Sequence, residues 1–311
     1  MGKNTANLYP LPYTERHLPF DQRKGAQVWP NGARMAILLY TAPEEYRWDR
    51  FEERYHAEMK VLFNPSETRP SLSIRSSIKY GFEIGLPRIR DIVEERGIKM
   101  SLLTNGNAAE QHPEIIKEFS DLGHEIVGHA YAEASPMPTM TREKQREDIQ
   151  KSVKILADLT GKKPSSWLGP AALCNEDTIE LLAEEGFLCN CDLQDDELPY
   201  FIDIKGKTLV EIPYRMVGNI NDFFIATRRR LHVEDTLTYL KRTFDAYYRE
   251  ASVRPLLFNF GTHPFIIGRP DTAYAFAAFI DYIKYYKDVW ITTYSEIAEW
   301  WSKKFGKGYK I

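Results

Sequence analysis

Leu256-Leu257-Phe258-Asn259-Phe260, followed by Gly261-Thr262-His263-Pro264, is the stretch on which the reading of this sequence turns. A run of strand-forming residues ends at a histidine where the chain enters a loop, so the imidazole faces the space beyond the strand. Gly123-His124-Glu125-Ile126-Val127-Gly128-His129 has the same design, a short apolar stretch, a glycine and then an imidazole. Two strand ends of this kind suggest one shared site.

Comparable strand-length runs lie at Met35–Tyr40, Lys99–Thr104, Glu125–Val127, Ser165–Trp167, Phe187–Cys191, Thr208–Pro213 and Val289–Thr292. Helical patterns separate them at Leu86–Arg96, Pro113–Leu122, Thr141–Leu159 and Asn175–Glu185, each stopping at or near a glycine suited to a left-handed C-cap. Further helices are expected at Val233–Glu250, Asp271–Lys287 and Ser295–Lys303. Thr141 with Lys144 and Asn175 with Thr178 supply N-capping residues without a full capping box. Regular alternation of strand and helix predicts an α/β fold with parallel strands, closed as a barrel or open and doubly wound. The length favours a (β/α) barrel of about seven strands: an N-terminal arm at 1–33, a barrel domain at 34–303 and a tail at 304–311. The charged, aromatic-rich connection from Glu45 to Tyr80 reads as a lid or a surface for subunit contact.

At 311 residues, 43% of them hydrophobic, the chain can bury a sizeable core, and a net charge of −3 with both signs dispersed disfavours nucleic acid as a partner. No apolar run approaches the roughly 20 residues of a membrane span, and the first residues lack the order of a signal peptide, so a soluble cytoplasmic protein is expected. Cys174, Cys189 and Cys191, odd in number, are expected to be free thiols. No phosphate-binding glycine loop is visible.

In a barrel the chemistry sits on loops after the C-terminal strand ends. Those ends carry Glu44 and Glu45, Asn105, His129 with Glu133, Trp167 to Pro170, Asp192, Arg215 and His263. His129 and Glu133, four residues apart, share a face if their loop is helical and can then ligate one metal; otherwise Glu133 is a solvated carboxylate and His129 a structural residue. His124, at the opposite end of its strand, is read as structural. His263 suits proton transfer to a leaving nitrogen near neutral pH. Arg269 either neutralises a substrate group or merely opens a helix, and Asp195, Asp196, Asn221 and Asp222 read individually as solvated loop residues.

With these residues in view, the chain resembles the polysaccharide deacetylase superfamily from about Met35 to Trp301. Gly123 to His129 resembles its second motif and Ser166-Trp167-Leu168-Gly169-Pro170 its third. Leu209-Val210-Glu211-Ile212-Pro213-Tyr214 with Asn221-Asp222 is similar to its fourth. The stretch Thr262 to Pro270, with the later Asp288 to Thr292 and Ser295 to Trp300, resembles the ending of the allantoinase-like and cyclic-imide-hydrolase-like branch. The resemblance implies an irregular, incomplete barrel. The chain departs from a metal-dependent deacetylase at Ala42, where an aspartate base is expected, at Glu133, where a metal histidine falls, and at Leu168, where an arginine is usual.

Those replacements lean toward hydrolysis of a small cyclic amide, ureide or imide. Glu44 and His129 would hold the attacking water and His263 would act as general acid. Trp167, Pro170, Arg215, Asp222 and Arg269 are candidate substrate-binding residues. Glu44, His129 and Glu133 are the ligands if one divalent metal, zinc or similar, is bound, and a metal-free site is the alternative. A small-molecule substrate and a homo-oligomer, dimer or tetramer, are implied. Competing readings are an N-acetyl polysaccharide or oligosaccharide deacetylase and a non-catalytic binding protein on a degraded scaffold.

Overall fold

The computed structural model of the protein describes residues 11–46, 72–133, 137–214 and 233–306. Its strands are β1 (Thr14–Arg16), β2 (Met35–Thr41), β3 (Ser101–Thr104), β4 (Glu125–Gly128), β5 (Ser166–Trp167), β6 (Cys189–Asn190), β7 (Tyr200–Ile204), β8 (Lys207–Glu211), β9 (Leu256–Thr262) and β10 (Val289–Thr292). The early helices are α1 (Leu72–Tyr80), α2 (Leu86–Glu95), α3 (Gly106–Gln111), α4 (Pro113–Asp121) and α5 (Arg142–Thr160). After them come α6 (Glu176–Glu185), α7 (Val233–Glu250), α8 (Pro264–Ile267), α9 (Pro270–Lys284) and α10 (Tyr294–Phe305).

All ten strands form one sheet in the order β1-β7-β8-β6-β5-β4-β3-β2-β10, with β9 also on β2. The eight runs expected from sequence are all present, and every pairing among them is parallel. Two strands were not anticipated, β1 and β7, and both are antiparallel. β7 and β8 form a hairpin through Lys205 (φ 48°) and Gly206 (φ 77°), the paired left-handed geometry that matches strand twist. β1 pairs its edge with β7, so the N-terminal arm is stitched into the sheet, and Arg23 clamps both carboxylate oxygens of Asp196 at 2.7 and 2.8 Å.

Among the described residues no ladder joins β8 to β9, so hydrogen bonds leave the barrel open there. Single contacts cross that side: Leu257 N–H donates to Glu197 O at 3.0 Å, and Asn259 Nδ2 to Pro213 O at 2.6 Å.

β2 is buried at every residue, which is why it reads as an unbroken apolar run. Met35, Ile37 and Leu39 pack outward with Phe258, Phe260 and Phe279. Ala36, Leu38 and Tyr40 pack inward with Val127, Leu168, Cys189, Cys191, Val210 and Leu257. The three cysteines are free thiols. Helices α5 and α6 end at Gly161 and Gly186, with φ of 73° and 77°, the left-handed stop that their sequences announce. The Asn175–Thr178 pair does form a full capping box, correcting the sequence reading, because the Thr178 hydroxyl also accepts from Asn175 N–H. No helix among the described residues is long and apolar enough to cross a membrane.

Candidate active site

Parallel pairing brings the candidate residues together. β2 and β9 run in register to Thr41 opposite Thr262, and Ala42 N–H continues the ladder to Thr262 O at 2.8 Å. Glu44 and His263, on the two loops that follow, therefore lie side by side, with His263 Nε2 3.1 Å from each Glu44 carboxylate oxygen. The loop after His263 is clamped from outside. A Cβ on Gly85 would lie 2.3 Å from Pro264 O, and one on Gly268 would lie 2.3 Å from Gly85 Cα. Both positions need glycine for the backbones to approach this closely.

His129 follows β4, and Ala130 after it adopts a left-handed φ of 54°, a conformation that L residues rarely take. His129 Nε2 lies 3.0 Å from Glu133 Oε2 and 3.3 Å from Glu44 Oε1, while Nδ1–H donates to the Leu168 carbonyl. Glu44, His129, Glu133 and His263 are 9%, 2%, 1% and 7% exposed, so the cluster is almost dry.

Burial pushes the Glu44 carboxyl up, but the positive charge of His263 and hydrogen bonds from His129 and His263 outweigh it and hold the group well below the carboxylate range. Burial lowers His129, yet hydrogen bonds to Glu133 and Glu44 hold the imidazolium well above its ordinary 6.5. Glu44 is thus a carboxylate flanked by two imidazoles, and the glutamates beside His129 favour its imidazolium form.

Glu44, His129 and Glu133 present donor atoms that all lie within 4.8 Å of one another. One imidazole and two carboxylates suit zinc or a similar divalent ion. The Nδ1–H bond to Leu168 O turns Nε2 toward the cluster, the orientation a metal-ligating histidine needs. The residues fit a metal, which would take the Nε2 lone pair that the imidazolium form of His129 gives to a proton. Metal and proton are alternatives at one atom.

The other sequence candidates separate. Glu45 turns away from Glu44 to reach His112 Nε2 at 3.1 Å, and the His112 ring stacks on Phe82. Trp167 is fully buried, with its ring edge-on to Phe187 in the apolar layer under α5 and α6. Pro170 is buried at the start of a short 3-10 turn. Arg269 braces α1, its guanidinium 4.3 Å from the Tyr80 ring centre and 3.4 Å from Ser77 Oγ. Arg215, Asn221 and Asp222 lie outside the described residues. His124 is structural, its Nδ1 accepting Met100 N–H at 3.2 Å. Asp195 and Asp196 hold Tyr200 OH and Arg23. Glu211, in the stretch likened to the fourth motif, is buried and takes Asn190 Nδ2 and Leu193 N–H.

Asp192 was noted at a strand end but given no role, and it belongs beside the site. It is 2% exposed, its Oδ1 accepts Gly169 N–H at 2.7 Å, and burial pushes its carboxyl up to about 7 against that bond and the charge of His129.

The polysaccharide deacetylase family profile matches residues 78–189. The crystal structure of PuuE allantoinase superposes with a TM-score of 0.83 at 30% identity, covering 95% of this chain and 99% of that one. This chain belongs to the polysaccharide deacetylase superfamily, in its allantoinase-like branch. The peptidoglycan deacetylase of Helicobacter pylori is 24% identical over 248 residues, 70% of this chain and 83% of that protein. As a member of the polysaccharide deacetylase superfamily, the chain is a hydrolase of carbon–nitrogen bonds other than peptide bonds. The superfamily's usual arginine position is Leu168, whose side chain is buried inside the barrel while its carbonyl serves His129.

Proposed function

We propose that the protein hydrolyses a small cyclic amide, ureide or imide by ring opening. The observation that carries this reading is the enclosure of the reacting groups, none of the four more than 9% exposed, which suits a compact substrate better than a polymer lying along a groove. The likeness to an allantoinase over nearly the whole of both chains supports it.

Water attacks the amide carbonyl carbon and gives its proton to Glu44. His263 Nε2–H protonates the departing nitrogen as the carbon–nitrogen bond breaks, and Glu44, 3.1 Å from Nε2, returns the proton to His263. Imidazolium His129 offers positive charge to the oxygen that becomes negative as the carbonyl is attacked. A divalent ion held by Glu44, His129 and Glu133 would supply Lewis acidity and a more acidic water.

N-acetyl glycan deacetylation is the second reading, favoured by the family profile and the Helicobacter pylori relative. A hydrolysis screen of purified protein separates them, following ring opening of cyclic ureides and imides beside acetate release from N-acetylated sugar oligomers, with and without divalent metal. Ring opening is expected; acetate release alone would replace the first reading with the second.

A further inference from the structure

One peptide group links two buried side chains of this site. The Leu168 carbonyl accepts the Nδ1–H of His129, and the N–H of the same peptide, on Gly169, donates to Asp192 Oδ1 at 2.7 Å. Donor and acceptor run head to tail from imidazole through peptide to carboxylate. A negative charge at the N–H end draws the peptide dipole toward a stronger carbonyl acceptor, and bonds chained in this way reinforce one another. The carbonyl in turn decides which ring nitrogen of His129 is tied down and which faces Glu44 and Glu133.

We infer that Asp192 is a positioning residue that acts on His129 through the Leu168–Gly169 peptide, fixing the ring with Nδ1–H on the backbone and Nε2 toward the two glutamates. Three observations support it. Asp192 is 2% exposed, so its carboxyl is held in a dry setting where its charge, once ionised, is little screened. Its Oδ2 has no hydrogen-bond partner among the described residues, so Gly169 N–H is the bond by which the carboxyl is held there. Leu168, which supplies the carbonyl, has its side chain anchored in the barrel core at 3% exposed, so the peptide cannot swing freely. A side chain that only shaped the turn at Pro170–Ala172 would also accept Gly169 N–H, and the test must tell the two roles apart.

This inference rests on His129 being part of the reacting cluster, so its first readout is taken on the resting protein and needs no substrate. In protein labelled with nitrogen-15 at histidine, the His129 ring signals are assigned by their loss in His129→Gln. Asp192→Asn keeps an oxygen for Gly169 N–H and removes the charge; Asp192→Ala removes both. The His129 Nδ1 signal is expected to shift and its proton to exchange faster in the order wild type, Asn, Ala. Gly169→Pro removes the N–H while leaving Asp192, at a φ of −74° that proline accepts, and is expected to reproduce the Ala shift, with no further change in the double variant.

On the substrate found by the screen, Asp192→Ala is expected to lower kcat about tenfold or more with KM changed less than about twofold. Unchanged His129 ring signals in a folded Asp192→Asn or Asp192→Ala protein would overturn the inference, as would a fall in kcat without any ring shift, since that is what a merely structural role predicts. Intact ring coupling with no hydrolysis of any amide would leave the Asp192 role standing and remove the proposed reaction instead.

Discussion

Glu44 and His263, 219 residues apart in sequence, meet with the imidazole Nε2 3.1 Å from both carboxylate oxygens. The same carboxylate lies 3.3 Å from His129 Nε2, so Glu44 touches both histidines. Chemistry at the two imidazoles is thereby linked through one shared carboxylate, with Glu133 adding a second at His129.

Removing the proton donor should slow the bond-breaking step and spare substrate binding. His263→Ala is expected to lower kcat by about a hundredfold or more, with KM little changed. Steady-state kinetics on the ring-opened substrate check this, and near-wild-type turnover would take His263 out of the mechanism.

Acidity of the cluster should appear in the pH dependence of stability. Glu44 is held below its unfolded value near 4.5, so its contribution is present above about 4.5 and is lost as pH falls through the folded value. His129 is held above 6.5, so its contribution is present below 6.5 and is lost as pH rises through its folded value. Urea midpoints measured from acid to alkaline pH should therefore fall on both sides, and Glu44→Gln should flatten the acid limb.

Asp192 has the opposite sign to Glu44. With its carboxyl raised from 3.8 to about 7, the folded state resists ionisation, and stability declines as pH climbs through that window. Asp192→Asn is expected to raise the urea midpoint at pH 8 and leave it nearly unchanged at pH 4. No stabilisation at pH 8 would mean that the buried carboxyl is not strained by its charge.

Metal binding should expel a proton, because Glu133 and Glu44 favour the imidazolium form of His129 and a metal needs the Nε2 lone pair. Zinc titrated at neutral pH in buffers of different ionisation enthalpy is expected to release about one proton per site. Glu133→Gln should weaken the affinity about tenfold or more, and uptake without proton release would contradict the shared lone pair.

Clamping of the His263 loop is a matter of backbone clearance. Gly85→Ala places a Cβ 2.3 Å from Pro264 O, so one backbone must shift, and a loss of about 1–3 kcal/mol is expected. Chemical denaturation reads the loss, and a fall in kcat should accompany it because His263 precedes the displaced residue.

Much of the architecture was legible because each parallel strand is a short apolar run closed by a turn, and helices α5 and α6 end at left-handed glycines. The β7–β8 hairpin was missed, although Lys205-Gly206 between two β-branched runs carried the turn signal. Trp167 and Arg269 were candidates for substrate contact, Arg269 alternatively a helix opener, and side-chain type does not reveal direction: the Trp167 ring packs on Phe187, while Arg269 caps α9 and lies on Tyr80.

What the sequence alone determined was local: where strands stop, and that His129, Glu133, Glu44 and His263 lie at those stops, because hydrophobic period and glycine placement are properties of neighbouring residues. What only the tertiary structure decided was partnership. Strand register, set by packing on both faces of β2, separates Glu44 from Glu45 and gives the first to two histidines and the second to His112. The Leu168–Gly169 peptide between His129 and Asp192 is likewise a product of folding, since a backbone amide has no letter in the sequence by which to be recognised.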